Sequence, residues 1–346
     1  MTKGIIWGKF APLTLGHMHL IQSALQQVDE LVIVLCWDSK LRDPKPWVNR
    51  ALSLNHRMQA LESATSEMSN VMVTWIDESE FPPYPHGWNQ FQEKIDHVLD
   101  LLDYEPDVFF SGDGDMYDRE VRNRWGWHTE WFDRFVIPAT ATEIRRDPIA
   151  NWQWIHPTAQ KLMSYWVNIT GVESTGKTTL VNQLERVLPC EIVDEFGRAY
   201  VENRMKRESE LFTEDFVEIA EVQTAMIKDA LGWILPIVIT DTDAKSTVFF
   251  QRLYSGETSQ EVLDVATDPN LQPDLNIQLM TDGAVWTTDG FREQNTTEDW
   301  QRSEELFDSV MCGLNCTVEK VDGDWGQRYH QSLNLIMRGI HEESSE

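Results

Sequence analysis

Cysteine is scarce in this chain of 346 residues: Cys36, Cys190, Cys312 and Cys316 are scattered, and no two form a C-x₂-C pair. That argues against a disulfide framework or a thiolate zinc site and fits a reducing, cytoplasmic setting. Basic residues are few as well. With 57 acidic residues against 29 lysines and arginines, the formal net charge is −28, which argues against nucleic-acid binding driven by the phosphate backbone. No run of about 18 apolar residues is available to span a bilayer, and Met1 to Gly8 leads into a strand-like run with no signal-peptide core before it. Internal repeats and low-complexity tracts are missing too. A soluble protein acting on small molecules, without membrane or nucleic-acid partners, is expected; a homo-oligomer stays open.

What is present centres on Gly171-Val172-Glu173-Ser174-Thr175-Gly176-Lys177-Thr178, which fits the phosphate-cradling pattern G-x-x-x-x-G-K-[ST]. A short apolar run, Trp166 to Thr170, precedes it, and Leu180, Leu184 and Leu188 recur at helical spacing after it. Strand, loop and helix are the context the pattern needs. Gly171 and Gly176 let the backbone curl so that its N–H groups point inward, and the helix start adds the positive end of its dipole. Gly171, Ser174, Thr175, Gly176, Thr178 and Thr179 are therefore expected to hold the phosphates of ATP. Lys177 reaches the β- and γ-phosphates, and Thr178 offers its hydroxyl to Mg²⁺.

The first half opens with a strand-like run, Gly4 to Phe10, a turn from Ala11 to His17, a helix starting near His19, and a second strand, Leu31 to Trp37. Strand, helix, strand implies a parallel sheet with ligands at the carboxyl ends of its strands. Val71 to Asp77 and Asp107 to Gly112 read as further strands, and Gln90 to Leu102 as a helix. Asn151 to Pro157 marks the expected boundary between domains 1–155 and 156–346. In the second half Cys190 to Glu195 and Leu235 to Asp243 read as strands ending in acids, and Leu275 to Met280 as another. Thr213 to Ala230 reads as a helix with Phe216, Ile219, Ala220, Gln223 and Ile227 on one face. Asp241, at a strand end beside the phosphate loop, is the expected support for Mg²⁺. The polar stretch Thr281 to Trp300 is expected to bring Arg292 over the nucleotide.

Gly8-Lys9-Phe10-Ala11-Pro12-Leu13-Thr14-Leu15-Gly16-His17 resembles the G-x-F-x-P-x-[HT]-x-G-H signature of nucleotidyltransferases that move an adenylyl or cytidylyl group onto a phosphorylated acceptor. The resemblance implies that Gly8, Phe10 and Gly16 border the triphosphate and that Lys9, Thr14 and His17 stabilise its charge. His17, at a helix N-terminus, can donate to an oxygen that gains charge as pyrophosphate leaves. Thr14 stands where many members carry a second histidine, so a neutral hydroxyl donor is expected there. Ile137 to Pro148 resembles the later I-S-x-T-x-I-R motif of the family, with Thr140 where serine is usual. Thr142 and Arg145 fall three apart and share a helix face, placed with Thr140 to hold the β- and γ-phosphates. The resemblance also implies that Trp88 stacks on a nicotinamide ring. Arg42 to Trp47 and Arg57 resemble the stretch after the second strand in the nicotinamide-nucleotide branch.

Gly171 to Thr179, Asp194-Glu195-Phe196-Gly197-Arg198, Asp241-Thr242-Asp243 and Asp289-Gly290-Phe291-Arg292 are similar, in order and spacing, to the ribosylnicotinamide kinase half of the bifunctional NadR-type family. The combined resemblance covers nearly the whole chain. It implies an α/β protein of two doubly wound parallel-sheet domains, a Rossmann-like nucleotidyltransferase followed by a phosphate-loop kinase. Nicotinamide riboside, nicotinamide mononucleotide (NMN) and ATP are the implied substrates, NAD the product and Mg²⁺ the cofactor. In the kinase half Asp194 or Glu195 binds ribose hydroxyls or accepts the proton, Asp241 faces substrate and metal, and Arg292 offsets charge on the moving phosphoryl group. Alternatives are a kinase whose first domain only binds nucleotide and a sensor of NAD or ATP without turnover. Some members begin with a DNA-binding helix-turn-helix; this chain, beginning at its first catalytic strand, is expected to lack that role.

Overall fold

Apolar runs alternating with amphipathic stretches dictate repeated βα units, and the strands of such units pair in parallel because each helix returns the chain to the same end of the sheet. The computed structural model describes residues 1–82, 84–112, 117–133, 137–204, 210–283 and 297–341. It divides into two units, Met1–Met163 and the chain from Ser164 onward.

The first unit comprises β1 (Lys3–Gly8), α1 (Leu15–Leu25), β2 (Glu30–Trp37), α2 (Pro46–Ala51), α3 (Leu54–Thr65), β3 (Val71–Asp77), α4 (Trp88–Leu102), β4 (Val108–Ser111), α5 (Asp118–Trp125), β5 (His128–Trp131), α6 (Ala141–Arg146) and α7 (Pro157–Gln160). Its sheet runs β3-β2-β1-β4-β5, all parallel. Strand β2 is buried from Leu31 through Cys36, each large aliphatic side chain contributing about 1.5–3 kcal/mol on burial. The direction of strand succession reverses between β1 and β4, and a ligand crevice forms outside the carboxyl ends at such a point.

Two boundaries differ from the sequence reading. Strand β1 stops at Gly8, because Phe10 takes φ +45° and turns the chain. Helix α1 starts at Leu15 rather than near His19, because the Thr14 side chain caps it. The two compact units meet in sequence at Met163 and Ser164, and α7 lies with the first, where the Thr158 hydroxyl donates to the Ala60 carbonyl of α3 at 2.8 Å.

The second unit comprises β6 (Tyr165–Thr170), α8 (Lys177–Glu185), β7 (Cys190–Val193), α9 (Phe196–Arg204), α10 (Thr213–Leu231), β8 (Ile237–Asp241), α11 (Ala244–Ser255), α12 (Gln260–Ala266), β9 (Leu275–Leu279), α13 (Thr297–Gly313), β10 (Glu319–Val321) and α14 (Trp325–His341). Its parallel sheet runs β10-β9-β6-β8-β7. All six residues of the central β6 are buried. The polar ones are satisfied across the sheet: Asn168 accepts from the Thr240 hydroxyl at 2.9 Å and donates to Asn276 at 3.0 Å. Here too the order reverses beside the first strand, between β8 and β9, so the loop after β6 sits at a crevice. Among the described residues no helix is long and apolar enough to cross a membrane.

Candidate functional site

In the first unit a cleft of about 890 Å³ is lined by Gly8, Lys9, Phe10, Thr14, Gly16, His17, Trp88, Thr140, Thr142 and Arg145, whereas residues 42–47 and Arg57, which the resemblance also brought in, do not line it. The lining residues come from stretches far apart in the chain, and the parallel sheet brings the turn after β1 and the start of α6 to one rim. At that turn the Thr14 hydroxyl accepts the His17 backbone N–H at 3.2 Å, while Nδ1 of His17 accepts the Thr14 backbone N–H at 3.0 Å. A histidine thus takes the Glu/Gln place in a capping box. Because a backbone N–H only donates, Nδ1 carries no proton, and the neutral imidazole holds its proton on Nε2. Thr14 is 3% exposed and its hydroxyl also lies 3.0 Å from Nδ1; it is engaged with His17 rather than presented as an independent donor.

Lys9 Nζ lies 3.3 Å from Asp38 and 3.2 Å from Glu78. Behind it the buried Arg57 donates to the Lys9 carbonyl at 2.8 Å. Burial pushes the Arg57 guanidinium down to about 10, which leaves it cationic at neutral pH. Arg145 donates to the carbonyls of Ala11 at 2.5 Å and Ala141 at 3.3 Å, and to the Thr142 hydroxyl at 3.2 Å. Its own carbonyl accepts from Lys45 at 3.0 Å, and Lys45 pairs with Asp43 at 3.2 Å, both buried. That pair ties the loop after β2 to α6. Thr140 caps α6, its hydroxyl and N–H both donating to Glu143. Trp88 lines the cleft among aromatics, stacked with Phe91 at 5.2 Å and Tyr117 at 5.3 Å between ring centroids.

In the second unit the phosphate loop joins β6 to α8. Gly171 (φ +131°) and Gly176 (φ +87°) occupy conformations that side chains rarely adopt, and a Cβ on Gly171 would stand 2.6 Å from the Leu279 carbonyl. Ser174 also has positive φ, at +61°. The buried Thr175 hydroxyl donates to the Val172 carbonyl at 2.9 Å. Lys177, 7% exposed, donates to the carbonyls of Gly171 and Val172, both at 3.1 Å. Thr178 and Thr179 are exposed on the first turn of α8. The Thr178 hydroxyl donates to Oδ2 of Asp241, while the buried Oδ1 of Asp241 has no hydrogen-bond partner among the described residues.

Burial raises the Asp241 pKa, Lys177 and the Thr178 hydroxyl opposing it. A carboxylate with an uncommitted oxygen beside a threonine hydroxyl suits a hard cation that takes oxygen ligands. Among the described residues no group of three or more His, Cys, Asp or Glu is placed so that it could hold a metal ion. An ion here would therefore take its remaining ligands from phosphates and water.

Glu195 is half-buried, and burial pushes its carboxyl up to about 7, with Asp241 and Glu173 acting in the same direction and Lys177 and Arg198 against it. Asp194 is exposed. The turn bearing both acids is splinted by Gln223 of α10, which accepts the Phe196 N–H at 2.8 Å and donates to the Asp194 carbonyl at 3.3 Å. An amide on an otherwise apolar helix face was the signal in the sequence for that splint. A mostly apolar cavity beside Glu195 is walled by Phe216, Ile219, Phe250 and Tyr254, and the Tyr254 hydroxyl donates to Glu173 of the loop. Asp289, Gly290, Phe291 and Arg292 lie outside the described residues.

The cytidylyltransferase-like family model matches residues 5–131, and the AAA domain model matches residues 166–328. The chain is 27% identical over 350 residues to the trifunctional NAD biosynthesis/regulator protein NadR of Escherichia coli (strain K12), covering 99% of this chain and 84% of that one. Two solved structures of NadR protein, in complex with NR and with NAD and AMP-PNP, are each 24% identical and cover 100% of this chain and 98% of theirs. Their TM-scores are 0.74 and 0.76, which establishes a common fold. With matched families in the same order as its two sheets, and a relative aligned over 99% of this chain, the chain is NadR-like.

Proposed function

We propose that the protein transfers phosphate from ATP to nicotinamide riboside in its second unit and an adenylyl group from ATP to the resulting NMN in its first, yielding NAD and pyrophosphate. One observation carries this: a nucleotidyltransferase-type cleft and a phosphate loop each stand at the crevice of their own sheet, in one chain that aligns over 99% of its length with a NAD biosynthesis protein. The ligands named for the similar structures, NR, NAD and an ATP analogue, are a substrate, the product and a substrate mimic of this sequence.

In the second unit the loop N–H groups and Lys177 hold the ATP phosphates, Lys177 exchanging its two loop carbonyls for phosphate oxygens. Thr178 and Asp241 would hold Mg²⁺, which would supply positive charge to offset that of the nucleotide phosphates. Glu195 accepts the proton of the 5′-hydroxyl and Asp194 binds the ribose. With its carboxyl raised to about 7, Glu195 is protonated below that pH and available as a base above it. The kinase kcat/KM is therefore expected to rise with pH through about 7, and Glu195→Gln to be slow and flat across that range; a wild-type profile already flat from pH 6 to 8 would move the base to Asp194.

In the first unit the phosphate of NMN is already ionised, so the work is alignment and charge stabilisation by Lys9, Arg145 and the Nε2–H of His17. Thr14 acts by fixing the His17 ring and tautomer. Thr14→Val removes the cap, at about 1 kcal/mol of stability, and frees the ring. NAD formation from NMN is expected to drop about tenfold or more while Thr14→Ser stays near wild type; equal rates for Val and wild type would assign Thr14 to folding only.

The test of the whole reading is incubation with nicotinamide riboside, ATP and Mg²⁺, following mononucleotide, NAD, ADP and pyrophosphate by chromatography. Sequential mononucleotide and NAD are expected. Mononucleotide alone would reduce the first unit to nucleotide binding, and no riboside-dependent ADP would sink the kinase assignment.

A further inference from the structure

A cation outside the phosphate-binding pattern is buried against the phosphate loop from behind. Arg328, in the first turn of α14, is 1% exposed and spreads its guanidinium over four main-chain carbonyls. Nε donates to Gly323 at 2.7 Å, Nη1 to Thr175 at 2.8 Å, and Nη2 to Met280 at 2.8 Å and Asp282 at 2.7 Å. Burying a guanidinium costs several kcal/mol unless its donors are satisfied. Here four of its five N–H donors go to backbone carbonyls, so the group's geometry is written into the main chain around it.

The contact with Thr175 has a directional consequence. In a trans peptide the C=O and N–H point to opposite sides. A Thr175 carbonyl held outward by Arg328 therefore turns the Gly176 N–H the other way, toward the hollow of the loop, where phosphate oxygens are bound. Gly176 sits at φ +87° against the same helix turn, with the Trp325 ring 1.9 Å from where a Cβ would lie. The other end of the loop is set by the same side chain at one remove. Gly171 abuts the Leu279 carbonyl, and the neighbouring Met280 carbonyl is held by Arg328. Both glycines of the loop thus rest on backbone or a helix turn that Arg328 fixes.

We propose that Arg328 is a positioning residue of the second unit's nucleotide site: by holding the Thr175 carbonyl and the carboxyl end of β9 it orients the loop N–H groups toward the phosphates and so sets ATP affinity. The inference rests on the reading of this unit as an ATP-dependent kinase. It touches no phosphate itself.

The test compares Arg328→Met, Arg328→Lys and Arg328→Ala with wild type in riboside-dependent ADP release by the full chain. Arg328→Met is expected to raise the KM for ATP about 10- to 100-fold with the KM for the riboside unchanged, the loss of a charged hydrogen-bond donor to the loop. Arg328→Lys reaches at most three of the four carbonyls and is expected to raise it about threefold or more. Added guanidinium ion is expected to lower the ATP KM of Arg328→Ala. A purely structural arginine would instead lower kcat with the folded fraction, leave the ATP KM alone and show no guanidinium effect. An ATP KM within twofold of wild type in Arg328→Met overturns the proposal. Should that variant fail to fold, a wild-type ATP KM in Arg328→Lys overturns it equally. Failure of the kinase reading is separate: wild type would release no riboside-dependent ADP, and the same ranking of variants would be read from Mg-ADP affinity by calorimetry.

Discussion

His17→Ala is expected to stop the reaction at the mononucleotide: riboside-dependent ADP release continues, while NAD formation falls about 100- to 1,000-fold, the cost of removing one preorganised donor to a developing oxyanion. The size of the effect follows from the geometry. Nδ1 is committed to the Thr14 N–H, so the ring has one defined donor, Nε2–H, in a cleft where Lys9 and Arg145 are already tied to Asp38, Glu78 and the Ala11 carbonyl. His17→Gln separates chemistry from folding, because glutamine at this position can preserve the capping box. A glutamine variant with near wild-type stability and severe loss of NAD formation locates the defect in the imidazole. Undiminished NAD synthesis by either variant, with added NMN and ATP, would remove His17 from the mechanism.

Lys177→Ala is expected to produce the complementary failure. Riboside phosphorylation should fall at least about 100-fold, since the cation held at the loop is gone and the moving phosphoryl group loses its counter-charge. NAD formation from supplied NMN should continue. The substitution also leaves the Gly171 and Val172 carbonyls without their donor, while the Thr175 hydroxyl still holds Val172. Lys177→Arg is expected not to restore activity, because a planar guanidinium does not replace a compact ammonium at a site only 7% exposed. Retained phosphorylation in Lys177→Ala, measured as riboside-dependent ADP, would place the transfer at a different site.

The parts of the molecule legible in the sequence are those whose physics is local. The phosphate loop needs glycine where φ is positive, and Gly171 and Gly176 stand there. Parallel strands buried on both faces read as continuous apolar runs, and β1, β2, β6 and β8 were visible on that ground. Weakly patterned elements were not: β5, His128 to Trp131, is short and half-exposed, and α3 mixes polar and apolar residues. The start of α1 escaped because histidine is not an ordinary capping-box partner, so Thr14 read as a ligand residue.

By itself the sequence determined that there are two nucleotide-type loops, each between a buried strand and a helix, and which side chains they carry. Tertiary structure alone decided what those side chains do to one another. Thr178 meets Asp241 across 63 residues, Lys45 meets the Arg145 carbonyl across 100, and Arg328 reaches Thr175 across 153. A local pattern fixes φ, ψ and helix caps, because those depend on neighbours in the chain. Which buried acid receives a hydroxyl, which carbonyl is turned outward and how far burial moves a pKa depend on the order of strands in a sheet, and that order is set by the whole fold's burial of apolar surface.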